Sequence, residues 1–156
     1  MIRDTEQYDN QQRSANLRQK LLRTSRIINL EIVKGLHRHG FTELSSTHTA
    51  LLSNLDLDGS HLTLVAQRAG MSKQAMGRLA DELVRLNYIK RTQSTTDKRA
   101  VTLSFTKTGL ELMQRSFSVM HEIEIRCAKR IGENHFNTLL TSLQNIVDEF
   151  EDTAID

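Results

Sequence analysis

The stretch that decides the fold runs from Gly59 to Gly109 and reads GSHLTLVAQRAGMSKQAMGRLADELVRLNYIKRTQSTTDKRAVTLSFTKTG. Two short helical patterns meet at a turn that contains Gly70, and two strand-like runs follow around a polar, charged loop. Gly70 supplies a left-handed residue that ends the first helix, and Ser72 is a good N-cap for the second. Asn87 stands where the second helix should end, because asparagine tolerates the left-handed conformation. The pattern predicts a helix-turn-helix.

The two runs that follow, Tyr88–Thr92 and Ala100–Phe105, alternate apolar and polar residues and predict a β-hairpin. The polar loop between them predicts a wing with basic residues at its tip. We expect Arg99 to enter a DNA minor groove, where the negative potential attracts a guanidinium. Asp97 would hold Arg99 through a charge-assisted hydrogen bond rather than touch DNA, which repels an acid.

The exposed start of the second helix carries residue types that donate to phosphates, to guanine or to adenine. Gln74 and Arg78 lie one turn apart and are expected to read base edges, while Lys73 is expected to contact phosphate. Gly77 costs helix stability but permits the close approach of another surface. The plainer alternative is a solvated helix face. The candidate DNA-contacting residues of the helix and wing are Ser72, Lys73, Gln74, Gly77, Arg78, Arg91, Lys98 and Arg99.

This segment resembles the winged helix-turn-helix of the MarR (multiple antibiotic resistance regulator) family. Family members usually carry glycine where this chain has Asn87, a conformationally equivalent residue, and many have Leu-Thr-Pro where it has Phe105–Lys107. Thr106 can still cap the next helix. The residues that carry the resemblance are Leu62–Thr63, Ala66, Arg68–Gly77, Leu79, Asp81–Leu83, Leu86, Tyr88–Ile89, Asp97, Arg99 and Phe105–Gly109.

The resemblance and the flanking helical patterns imply a mainly α (α+β) winged helix-turn-helix with about six helices and a β-hairpin wing. We expect a single domain over residues 1–156, with the DNA-binding region at 47–108 and dimerisation helices at 10–40 and 109–156. Helices are expected from about Asn16 to His39 and from Thr47 to about Leu55, with Asn134 capping the last one. Their apolar stripes predict pairing with a second chain, since they would otherwise face water. The residues expected in that interface are Leu17, Leu21, Phe136, Leu139, Leu143, Ile146 and Phe150.

Composition agrees with a protein that presents one face to DNA. The net charge of the 156 residues is only +2, but from Arg68 to Arg99 eight Lys or Arg face three acids. From Glu133 to the end there are six acids and neither Lys nor Arg. No run of the sequence is apolar enough for a membrane span and no secretory leader is evident, so a cytoplasmic setting is expected. The single cysteine excludes an intramolecular disulfide framework.

Three features could carry a sensing role. Cys127 lies on an apolar stripe and is expected to be an inert buried thiol, because a redox sensor needs exposure and a lowered pKa. The six histidines show no tight ligand spacing, so no metal and no cofactor are expected. The family's usual mode remains, in which a small aromatic or phenolic effector binds between the dimerisation helices and the winged region.

The sequence therefore predicts a homodimeric regulator, a repressor that binds a palindromic operator and is released by an effector. An activator, or a redox- or metal-responsive regulator of the same fold, stays open as an alternative. An enzyme is not expected, because the chain lacks a phosphate-binding glycine loop, metal spacing and a nucleophile motif. Ser60 and His61 are adjacent, but helix capping explains them better. A protein-interaction module is the remaining class, and it would lack salt-sensitive DNA affinity.

Overall fold

A computed structural model describes residues 16–93 and 101–152. The described residues form six helices and a small antiparallel sheet, which confirms the expected mainly α winged helix-turn-helix class. The chain divides into two compact units, of which the first ends at Ser116 and the second begins at Phe117. The single domain and its inner boundaries stay predictions. The elements are α1 Leu17–Arg38, α2 Thr49–Leu52, β1 Ser60–His61, α3 Leu62–Arg68, α4 Lys73–Arg85, β2 Ile89–Gln93, β3 Val101–Phe105, α5 Lys107–Ile131 and α6 Glu133–Asp152.

The helix ends around the turn form as their local sequence predicts. Gly70 has a φ of +62°, and Asn87 has a φ of +58°. In each case the residue after it bonds back five positions, from Met71 N–H to Ala66 O at 2.9 Å and from Tyr88 N–H to Leu83 O at 2.9 Å. Both left-handed residues therefore end their helices with the last carbonyls satisfied.

The sheet has a third strand that the sequence analysis did not predict. β3 pairs with β2 along its whole length, as expected for the wing hairpin, and with β1 on its other edge. β1 places Ser60 opposite Leu103 and His61 opposite Thr102. The capping explanation for these two residues is wrong. His61 stands at the N-cap of α3 without a side-chain cap bond, and Ser60 Oγ instead donates to Asp56.

Two helix boundaries also differ from expectation. α2 is only four residues long, because side chains at its end compete with the helical ladder. Ser53 Oγ bonds Thr49 O at 2.6 Å, and Asn54 Nδ2 bonds Ala50 O at 2.9 Å. α6 begins at Glu133, directly after Gly132 with its φ of +91°, so Asn134 lies inside the first turn rather than at the cap.

The core of the first unit lies beneath the helix-turn-helix and the sheet. Leu51, Val65, Met76, Leu83, Leu103 and Leu112 are all fully buried, so α2, α3, α4, β3 and the start of α5 share one hydrophobic cluster. Burial of these apolar side chains holds α4 against the rest of the first unit. No helix among residues 16–93 and 101–152 is long and apolar enough to cross a membrane.

The terminal helices keep much of their apolar surface in water. In α1, Leu17 is 56% exposed and Leu21 41% exposed. In α6, Leu139, Ile146 and Phe150 are 45%, 37% and 71% exposed, while Phe136 and Leu143 are half-buried. Exposed apolar stripes of this kind are uncommon on a lone soluble chain and are typical of an interaction surface.

Candidate nucleic-acid interface

The second helix of the motif, α4, separates its buried and exposed sides cleanly. Ser72 caps it, because its Oγ accepts from Ala75 N–H at 3.2 Å. Met76, Ala80 and Leu83 are fully buried on the inner side. The first two turns project Lys73, Gln74 and Arg78 into solvent on the other side. We call α4 the recognition helix, since its buried side fixes it while its polar side stays free to contact a ligand.

One predicted contact residue, Arg91 on β2, is already engaged with the recognition helix. Its Nη2 donates to Gly77 O at 2.8 Å, and its Nη1 lies 2.7 Å from Asp81 Oδ1. A Cβ on Gly77 would lie 3.6 Å from Arg91 Nη2, an ordinary van der Waals distance, so the described neighbours of this glycine leave room for a side chain. The DNA contact expected of Arg91 stays a prediction.

A buried histidine supports the recognition helix from behind, and sequence reasoning missed it. His48 is 5% exposed, and its Nε2 lies 3.0 Å from Glu82 Oε2. Its Nδ1 accepts from Ser45 N–H at 3.1 Å, so Nε2 carries the proton and donates to Glu82. The partners are 34 positions apart, a separation at which no sequence pattern signals the contact.

A second polar cluster closes the turn that precedes β1. Arg68 Nη1 lies 2.9 Å from both carboxylate oxygens of Asp56, and Ser60 Oγ also bonds that carboxylate. The Ser60 hydroxyl and then the Arg68 guanidinium hold the pKa of Asp56 below its ordinary value of 3.8. The cluster ties the loop to the first helix of the motif, α3.

The remaining site predictions fall into two groups. Asp97, Lys98 and Arg99 lie outside the described residues, so their placement in the wing stays a prediction. Cys127 is half-exposed rather than buried, which differs from the expected inert core position. Within residues 16–93 and 101–152, no cluster of three or more His, Cys, Asp or Glu side chains is arranged to hold a metal ion.

The chain is similar to known proteins both in sequence and in structure. Residues 42–100 match the sequence model of the MarR family. No curated protein sequence matches the chain. The transcriptional repressor CouR bound to a 23-mer DNA duplex has a similar structure, with 22% identity, coverage of 86% of this chain and 94% of CouR, and a TM-score of 0.70. CouR from Rhodococcus jostii RHA1 bound to p-coumaroyl-CoA has 21% identity, coverage of 85% and 92%, and a TM-score of 0.65. A mutant MarR from E. coli complexed with operator DNA has 14% identity, coverage of 88% and 98%, and a TM-score of 0.71.

The capped recognition helix, the helix before it and the paired strands define a winged helix-turn-helix protein. At these identities the structural likeness establishes the fold alone. The chain is similar to proteins of the MarR family over residues 42–100.

Proposed function

We propose that this chain is a transcriptional regulator of the MarR family, a repressor that binds a palindromic operator as a homodimer and is released by a small-molecule effector. The observation that carries the proposal is the exposed polar start of the recognition helix, where Lys73, Gln74 and Arg78 project from a helix fixed by buried residues. A helix presented in this way fits the major groove, whose base edges offer the matching acceptors and donors.

Each side chain of the helix has a proposed role. Gln74 and Arg78 read base edges, because an amide pairs with adenine and a guanidinium with guanine. Lys73 and Ser72, at the helix N-terminus, bind phosphate, where the helix dipole also favours an anion. In the wing, Arg99 enters the minor groove, Asp97 orients it and Lys98 adds charge toward the phosphates.

Homodimerisation is proposed from the apolar surface of the terminal helices. Leu17 and Leu21 in α1 and Leu139, Ile146 and Phe150 in α6 are exposed in the single chain, and a second copy would cover them. A two-fold axis between the copies places two recognition helices against successive turns of DNA, so the operator is an inverted repeat. Acting on DNA in this way, the protein works in the cytoplasm.

Release by an effector follows from the geometry of the dimer. A ligand that binds better when the two recognition helices are mismatched to the grooves shifts the equilibrium away from DNA by its differential affinity. The p-coumaroyl-CoA found on CouR supports a ligand with a small aromatic or phenolic group. We infer the same chemical class for this chain.

The proposal is tested by selection of binding sites from a random duplex library. The wild-type chain should enrich an inverted repeat that two chains occupy together, with an affinity that falls steeply as salt rises. A variant with both Gln74→Ala and Arg78→Ala is the control, because it keeps the fold and should lose the enriched sequence. A reporter gene placed behind the enriched site should be silenced. A wild-type chain that enriches no sequence would contradict DNA reading, and activation of the reporter would contradict repression.

A further inference from the structure

The guanidinium of Arg91 spans one turn of the recognition helix. Gly77 and Asp81 are four residues apart and therefore neighbours on the same side of α4. Arg91 reaches both, with Nη2 on the Gly77 carbonyl at 2.8 Å and Nη1 on the Asp81 carboxylate at 2.7 Å. The planar fork of arginine suits two acceptors at once, which a lysine ammonium on its flexible stem does not.

The place of this contact links the two elements that meet DNA. Arg91 sits on β2, opposite Leu103 of β3, so its backbone belongs to the hairpin that carries the wing. Its helix partners stand beside the reading residues, because Gly77 follows Gln74 by three positions and Asp81 follows Arg78 by three. A change in the tilt between hairpin and helix would therefore strain the two bonds together, since one guanidinium makes both.

We propose that Arg91 is a positioning residue for DNA reading, which acts through Asp81 and Gly77 to hold the recognition helix at the angle to the wing that the operator needs. This inference rests on the proposed function. It gives Arg91 a role other than the phosphate contact that its charge alone suggests, and it gives Asp81, an acid near DNA, a favourable role.

The ion pair between Arg91 and Asp81 is also better suited to orienting the recognition helix than to raising the free energy of unfolding. The side chain of Asp81 is 61% exposed and that of Arg91 32% exposed. Exposed ion pairs contribute little to the free energy of folding. Variants of either residue should therefore fold, and a change in DNA reading will not reflect loss of the folded chain.

The test compares two duplexes of equal length, the one that the wild-type chain enriches from a random library and a scrambled version of it. We expect Asp81→Ala to lower the affinity for the enriched duplex roughly ten-fold, while the affinity for the scrambled duplex stays the same or rises. Arg91→Ala should likewise lower the ratio of the affinity for the enriched duplex to the affinity for the scrambled duplex. The double variant should lower this affinity ratio no further than Arg91→Ala does, because the two residues act as one unit. Arg91→Lys keeps the charge but not the fork, so it should lose most of the ratio with an unchanged salt slope.

Lys90→Ala is the matched control. It removes a cation from the same strand, and the Lys90 side chain makes no hydrogen bond or ion pair within residues 16–93 and 101–152. It should leave the ratio between the duplexes unchanged. Chemical denaturation of every variant, run alongside, confirms that the chains compared are folded.

Three results would overturn the inference. The first is an Asp81→Ala chain that keeps the wild-type ratio of affinities for the two duplexes. The second is a double variant whose loss of binding free energy is the sum of the two single losses. The third is an Arg91→Ala chain that binds both duplexes more weakly by the same factor, with a salt slope reduced by about one, as a phosphate contact requires. Failure of the proposed function is distinguishable, because then the wild-type chain itself enriches no sequence and both ideas are wrong.

Discussion

His48 Nε2 donates to Glu82 Oε2 at 3.0 Å and so joins the segment before α2 to the recognition helix. The imidazole uses both nitrogens, since Nδ1 accepts from Ser45 N–H at 3.1 Å. His48 is 5% exposed, whereas the Glu82 side chain is 45% exposed and can be hydrated on its outer side. The two ends of this hydrogen bond therefore differ in what their loss would cost.

We expect His48→Ala to lower the free energy of unfolding by about 1–3 kcal/mol, because Ser45 N–H loses its acceptor in a half-buried place. Glu82→Ala should also destabilise the chain, because the Nε2–H of His48, which is 5% exposed, loses its acceptor. In a double-mutant cycle followed by urea denaturation, the two losses should be non-additive. A His48→Ala chain as stable as wild type would show that the contact does not support the helix.

Base reading and phosphate binding should separate within the first turn of the recognition helix. Gln74→Ala is expected to weaken the enriched site by about 1–3 kcal/mol and to relax the preference at particular base positions. Lys73→Ala should lower the affinity for all DNA sequences by the same factor, and it should reduce the slope of log affinity against log salt concentration by about one unit. Titrations of enriched and scrambled duplexes at several salt concentrations measure both effects. If the Gln74→Ala chain kept the full sequence preference of the wild type, the assignment of Gln74 as a base-reading residue would be wrong.

The apolar stripe of α6 should determine the oligomeric state. Leu139 is 45% exposed in the single chain, so Leu139→Glu adds a charge without disturbing the monomer's interior. We expect it to yield monomer in sedimentation and to lose tight operator binding, since one half-site supplies too little affinity. Asn145→Glu is the matched control, because at 100° per residue Asn145 faces away from the stripe. Dimer retention by Leu139→Glu would place the interface elsewhere.

Acid should unfold the chain partly through Asp56. Its pKa is lowered from 3.8 by Ser60 and Arg68, so the carboxylate stabilises the fold above pH 3.8 and loses that contribution as the pH falls through the lowered value. The Tm of Asp56→Asn should therefore depend less on pH than that of wild type, between neutral pH and about pH 2. Asp58→Asn, in the same turn, removes an equal charge without touching Ser60 or Arg68. Parallel curves for Asp56→Asn and wild type would contradict the assignment.

Gly109 should tolerate no side chain. A Cβ there would lie 1.9 Å from Tyr88 O and 2.9 Å from Tyr88 C, both backbone atoms. Gly109→Ala must therefore shift the start of α5 away from the end of the recognition helix, at a cost of about 2 kcal/mol or more in urea denaturation. Gly40→Ala is the comparison, since no atom lies within 4 Å and only the left-handed backbone opposes it, at about 1 kcal/mol. Equal losses for the two variants would exclude the clash.

Local features of this fold followed from the sequence because their partners are close along the chain. Ser72 caps the recognition helix through an N–H three residues on, and Gly70 and Asn87 end their helices through bonds that span five residues. Such contacts need only the backbone dihedrals of one turn. The polar start of the recognition helix and its buried stripe follow from helical periodicity, so Lys73, Gln74 and Arg78 were predicted together.

What only the tertiary structure decided are the contacts between segments far apart in sequence. β1 was missed because a two-residue strand has no periodicity, and it forms only where the free edge of β3 arrives 41 residues later to pair His61 with Thr102. His48 is one of the six histidines whose spacing predicted no metal site, and its partner Glu82 is 34 positions away, beyond the reach of any local pattern. Arg91 was predicted to contact DNA, and that contact stays a prediction. What the sequence did not indicate is the position of its guanidinium against Gly77 and Asp81, which arises because packing on the shared core brings β2 beside the recognition helix. Charge and periodicity are properties of a sequence, whereas the internal acceptors that a side chain reaches depend on distance in space.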